Sequence, residues 1–124
     1  MKGVALWFFA TGTVAVTLGM LWGIQMSATG NHTLSGAHAH LNLVGWATMA
    51  LVGLYYNATP AAAETMLARV HYAVSLAGLV ILIPGIVQAL RQTGETLAKI
   101  GSFLTLIAML IFLVTVAMHA RKPA

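Results

Sequence analysis

Four long apolar runs, separated by short polar links, constrain this chain more than anything else in it. They fall at about 4–26, 36–57, 66–90 and 97–118. The hydrocarbon core of a bilayer takes about 20 apolar residues of helix, and each run supplies them. In lipid every backbone N–H and C=O needs a partner within the protein, and a helix provides its own. The expected fold class is therefore an all-α membrane protein, one domain over 1–124 with four transmembrane helices in the lipid bilayer. Composition agrees. Only 6% of the residues are charged and 60% are hydrophobic, whereas soluble domains carry about 25% charged residues. The links are short, so neighbouring helices are expected to be antiparallel and adjacent.

The net charge of +4 comes from six Lys/Arg set against Glu64 and Glu95. The cations sit at the ends of the runs, a pattern of membrane orientation and not of a nucleic-acid surface. With the N-terminus inside, Lys2, Arg69, Arg121 and Lys122 share the inner side, and Arg91 and Lys99 the outer. The positive-inside rule then places both termini in the cytoplasm, and a bacterial inner membrane is the expected location. Lys2 before an apolar run also fits a signal peptide. The run is longer than a signal core and lacks a small-x-small cleavage site, so it reads as a retained span. Gly19 and Gly23 form a GxxxG pair, which permits close helix approach. Pro84 and Gly85 inside the third run predict a kink. Cysteine is absent, which excludes disulfides, thiolate ligands, iron–sulfur clusters and haem attached through Cys.

The chemistry concentrates at the start of the second run, Gly36-Ala37-His38-Ala39-His40-Leu41-Asn42-Leu43-Val44-Gly45-Trp46. Residues two apart on an α-helix lie about 200° apart. His38 and His40 therefore do not grip one ion together, but each can hold a different ligand on its own side of the helix. The face of His38 continues through Asn42, Gly45 and Met49, and that of His40 through Val44, Ala47 and Leu51. Gly45 and Ala47 leave room for a flat macrocycle, although small residues line membrane helix interfaces generally. Asn42 either orients a ligand or joins helices. The pair reads either as interfacial histidines bonded to water and headgroups, or as axial ligands of haem iron. His71 reads as a hydrogen-bonded histidine near the inner interface, or as a contact to a second metal, haem or quinone. His119 closes the fourth helix, where a cation suits the dipole, and His32 is a solvated loop residue. Trp7, Trp22 and Trp46 read as packing or interface residues, and Tyr55 and Tyr56 as part of an aromatic belt.

The stretch from His38 to Trp46, followed by Gly53-Leu54-Tyr55-Tyr56 and Pro60, resembles a haem-ligating helix of the haem–copper oxidase superfamily. The likeness is to the catalytic subunits of nitric oxide reductases and C-type oxidases. In those subunits twelve helices form three four-helix arcs, and one arc carries a His-x-His pair whose imidazoles serve two haems. The present chain has one arc's worth of helices. The resemblance implies non-covalent haem b, with His38 and His40 as axial ligands to iron and Asn42 and Gly45 beside the macrocycle. It also implies a homo-oligomer, a trimer first, in which three copies rebuild a ring and each haem lies between His38 of one chain and His40 of the next. Departures are plain. The chain has no adjacent His-His pair, and both carboxylates fall in links, so oxidase or nitric oxide reductase activity at a copper-containing centre is not expected. The expected function is a small membrane cytochrome for electron transfer or for haem storage or sensing, with a redox partner or quinol. Two alternatives stand beside it: a cofactor-free accessory subunit of a respiratory complex, and a copper-handling protein using His32, His38 and His40.

Overall fold

The first helix, α1 (Gly3–Thr29), buries a stripe made of Ala5, Phe8, Gly12, Ala15, Gly19 and Met26. These recur at steps of three, four and seven residues, the spacing of one helix face. The stripe is mostly small, so a neighbouring helix can come close along it. The helix ends at Gly30, whose φ of +67° is the left-handed conformation that glycine adopts without a Cβ clash. The structure, a computed structural model, describes residues 1–120. Arg121 and Lys122, two of the inner-side charges counted above, lie outside the described residues.

The second apolar run forms three helical segments without a break: α2 (Ser35–His40), a π-helical segment (Leu41–Thr48) and α3 (Met49–Ala58). A π-helix bonds each N–H five residues back and is rare beyond a single turn. Here the Thr48 hydroxyl donates to the Leu43 carbonyl, also five back, at 2.9 Å. A short α4 (Pro60–Ala63) opens on proline. Next, the Thr65 hydroxyl accepts the Ala68 N–H at 3.1 Å and caps α5 (Met66–Leu90). The final helix is α6 (Thr96–Met118). Among the described residues there is no strand, and α1, α5 and α6 are long and apolar enough to cross a membrane.

Two close helix pairs build the bundle. α1 packs against the π segment and α3, and α5 packs against α6. A Cβ at Gly53 of α3 would lie 2.9 Å from the Phe9 nitrogen and 3.0 Å from the Ala5 oxygen. Likewise, a Cβ at Gly101 of α6 would meet the Leu82 backbone at 2.5 Å. Backbone therefore meets backbone in both pairs, as glycine allows in membrane helices. α5 runs as one helix through Pro84, and Gly85 beside it receives the α6 backbone at Leu97 and Ala98.

The pairs join over an aromatic core that holds Phe8, Tyr56 and His71, each nearly fully buried. Phe112 stacks on His71 with centroids 5.5 Å apart. Tyr56 thus corrects the aromatic-belt reading: its ring is 1% exposed. On α3 it faces the bundle and stacks on Phe8 at 5.6 Å.

Candidate functional site

His38 and His40 close α2, and the helix sends them to different surroundings. His38 is half-buried and faces α1. Its Nε2–H donates to the Gly19 carbonyl at 2.9 Å, since a carbonyl only accepts. Gly23, one turn on, makes the room: a Cβ there would lie 3.2 Å from His38 Nε2. Trp22 meets the ring edge-on at 6.1 Å. The GxxxG pair of α1 is therefore a helix contact, in which Gly23 admits the His38 imidazole and Gly19 the Asn42 amide.

Asn42 fills the space over Gly19, where any added Cβ would strike its amide oxygen. Its Nδ2 lies 3.4 Å from His38 Nε2, and its buried Oδ1 has no partner. Nε2 already carries the proton given to Gly19, so it pairs with Asn42 only through the amide oxygen. Turning the amide by 180° removes the donor–donor contact and gives the oxygen its partner. Asn42 thus packs on α1 at Gly19 and pairs with His38 of its own helix. His38 keeps Nδ1 as its lone-pair nitrogen.

His40 is exposed, as are Leu43 and Leu51 further along the second helix. Its Nδ1–H donates to the Gly36 carbonyl at 2.7 Å. That bond fixes the tautomer and the ring orientation and leaves Nε2 as an open base. A backbone carbonyl holding one ring N–H is the usual support of a metal-binding imidazole.

The faces expected beyond these histidines change at the π segment, where the 100° step of a regular helix no longer applies. Val44, expected on the face of His40, lines an internal cavity, while Leu43 lies outside. Gly45 is buried, and a Cβ there would lie 2.8 Å from Ala15 Cβ and 3.3 Å from Leu79 Cδ1. Within the chain, α1 and α5 occupy the room beside Gly45.

The other histidines separate. His71 is 2% exposed, and its Nδ1 shares a hydrogen bond of 2.8 Å with the Tyr56 hydroxyl. His119 Nδ1–H donates to the Thr115 carbonyl at 2.9 Å in the last turn of α6. His32 is exposed in the link after α1, with Nδ1 3.3 Å from the Gly30 carbonyl. Among the described residues no three His, Asp or Glu side chains converge on a point, so His32, His38 and His40 are not brought together.

Sequence reasoning missed the Tyr56–His71 pair. A signal for it exists: Tyr56 sits just before the end of α3 and His71 just after the start of α5, so the intervening turn sets them at similar depth. The chain matches no protein-family model, no curated protein and no solved structure.

Proposed function

We propose that this chain is a four-span membrane protein that binds haem b on the outward face of its second helix, with His40 as an axial ligand to the iron. The observation that carries the reading is the His40–Gly36 hydrogen bond, which holds the imidazole with its open nitrogen on an apolar, exposed face. The oxidase-like motif around it supports the same ligand chemistry. The contiguous segments from Ser35 to Ala58 exceed the roughly 20 residues of a span and form the fourth crossing. By sequence, Lys2, Arg69, Arg121 and Lys122 on one side against Arg91 and Lys99 on the other favour cytoplasmic termini.

One outward imidazole per chain makes the site an assembly of copies. Two chains across a two-fold axis supply two His40 rings and leave the His38–Gly19 bond intact. A three-copy ring that uses His38 with the next chain's His40 needs the Nδ1 of a half-buried ring that faces α1. The two-fold arrangement uses the exposed imidazole of each chain, and it holds one haem per two chains. Bound haem would supply a one-electron redox centre. Held by two His40 imidazoles, it would suit electron transfer, or haem storage or sensing, better than catalysis on a gas. A membrane quinol or a redox protein is the fitting partner.

The test is the oxidised and dithionite-reduced absorption spectrum of the detergent-purified protein, with a pyridine haemochrome assay. Sharp α and Soret bands at one haem b per two chains are expected, and His40→Ala abolishes them while the chain stays folded. A protein that remains colourless after haemin addition overturns the reading. The second reading, a cofactor-free accessory subunit, then takes its place. It is favoured by the way His38, Asn42 and Gly45 are all taken up in packing within the chain.

A further inference from the structure

A cavity of about 70 Å³ lies between the helices, and neither His38 nor His40 lines it. Thr48, His71, Ser75 and Thr105 line it with polar groups, and apolar side chains such as Phe8 and Val52 form the remaining wall. The elements bring these groups together in a simple way. His71 and Ser75 are one turn apart on α5, and Thr105 comes from α6, where Gly78 lets the two backbones close up. A Cβ at Gly78 would lie 3.0 Å from Thr105 Oγ1. That hydroxyl is buried and has no hydrogen-bond partner in the protein.

A buried hydroxyl without a partner is costly, most of all in a bundle with no bulk water around it. A void larger than roughly 10–15 Å³ holds a water that finds two to four polar partners; this one exceeds that size, and within a mostly apolar wall Thr48, His71, Ser75 and Thr105 supply such partners. We propose that the cavity is an internal hydration site. One or more waters bond Thr105 Oγ1 and reach Ser75 and His71, extending the Tyr56–His71 hydrogen bond into the middle of the bundle. Tyr56 also lines a second cavity, of about 210 Å³, beside Lys2, Asn57 and Glu64. The Tyr56–His71 pair therefore stands between that cleft at the end of the bundle and the inner water. This polar file is independent of whether haem binds at His40.

The experiment is a high-resolution crystal structure of the full chain in lipidic phase, with and without xenon pressure. An ordered water within hydrogen-bond distance of Thr105 Oγ1, and no xenon in the cavity, is the expected result. Xenon in the cavity with no water there overturns the proposal, because dry apolar cavities take up such probes. Thr105→Val gives a second, separate readout by thermal unfolding. If the hydroxyl anchors water, the variant unfolds on the order of a few degrees lower. If the hydroxyl is a dry orphan, its removal leaves the midpoint unchanged or raises it, and the hydration site is refuted.

Discussion

Tyr56→Phe removes one oxygen and leaves the ring where Phe8 packs on it. The lost group is the hydrogen-bond partner of His71 Nδ1 at 2.8 Å, and the imidazole is 2% exposed. Leaving a buried polar atom unpaired costs about 1–3 kcal/mol. Double-mutant cycles between membrane helices average about 0.6 kcal/mol, with a maximum near 1.7, because the unfolded chain in lipid also finds partners. The two ranges overlap at about 1–1.7 kcal/mol, roughly a factor of 5–20 in the unfolding equilibrium. The assay is reversible unfolding in mixed micelles, followed by circular dichroism, for the wild type, Tyr56→Phe, His71→Phe and the double variant. Phenylalanine keeps an aromatic ring against Phe112, which stacks on His71 at 5.5 Å. The double variant leaves no orphan nitrogen, so its destabilisation is expected to be less than the sum of the singles by about that amount. Strict additivity, or a neutral Tyr56→Phe, would refute the argument that this pair helps hold the two halves of the bundle together.

The other predictions concern backbone approach and the second helix. Gly53→Val drives a branched side chain into the α1 backbone at Ala5 and Phe9, and a loss of about 1–3 kcal/mol is expected in the same unfolding assay. Gly30 has open space around it but a φ of +67°. Gly30→Ala is therefore expected to cost about 1–2 kcal/mol through conformation alone, and Gly30→Asn less, so equal losses would point to a steric cause instead. His38→Ala removes the bond to Gly19. It is expected to lower the unfolding midpoint while haem content, measured by pyridine haemochrome, stays at the wild-type value. Loss of haem in that variant would favour the ring in which His38 ligates iron.

The helical class and the approximate helix bounds were legible in the sequence because hydropathy and backbone satisfaction in lipid act on each segment separately. The runs at 66–90 and 97–118 correspond to helices Met66–Leu90 and Thr96–Met118, and the run at 4–26 to Gly3–Thr29. The opposite facing of His38 and His40 was legible too, since it needs only the α-helical step over three residues. The GxxxG pair marked a helix contact without naming the side chains it receives.

What lay beyond the sequence depends on neighbours. The π segment at Leu41–Thr48 moves Val44 inward, and no residue pattern announces a change of hydrogen-bond register. Which histidine turns in was decided by α1, whose Gly19 carbonyl and missing side chain at Gly23 accept His38 and leave His40 outside. The pairing of Tyr56 with His71, and the cavity beside Thr105, arise where four helices meet. Periodicity reports which face of a helix is apolar; only packing determines which polar groups on facing helices come within 3 Å of one another, because that distance depends on how closely glycines let the backbones approach.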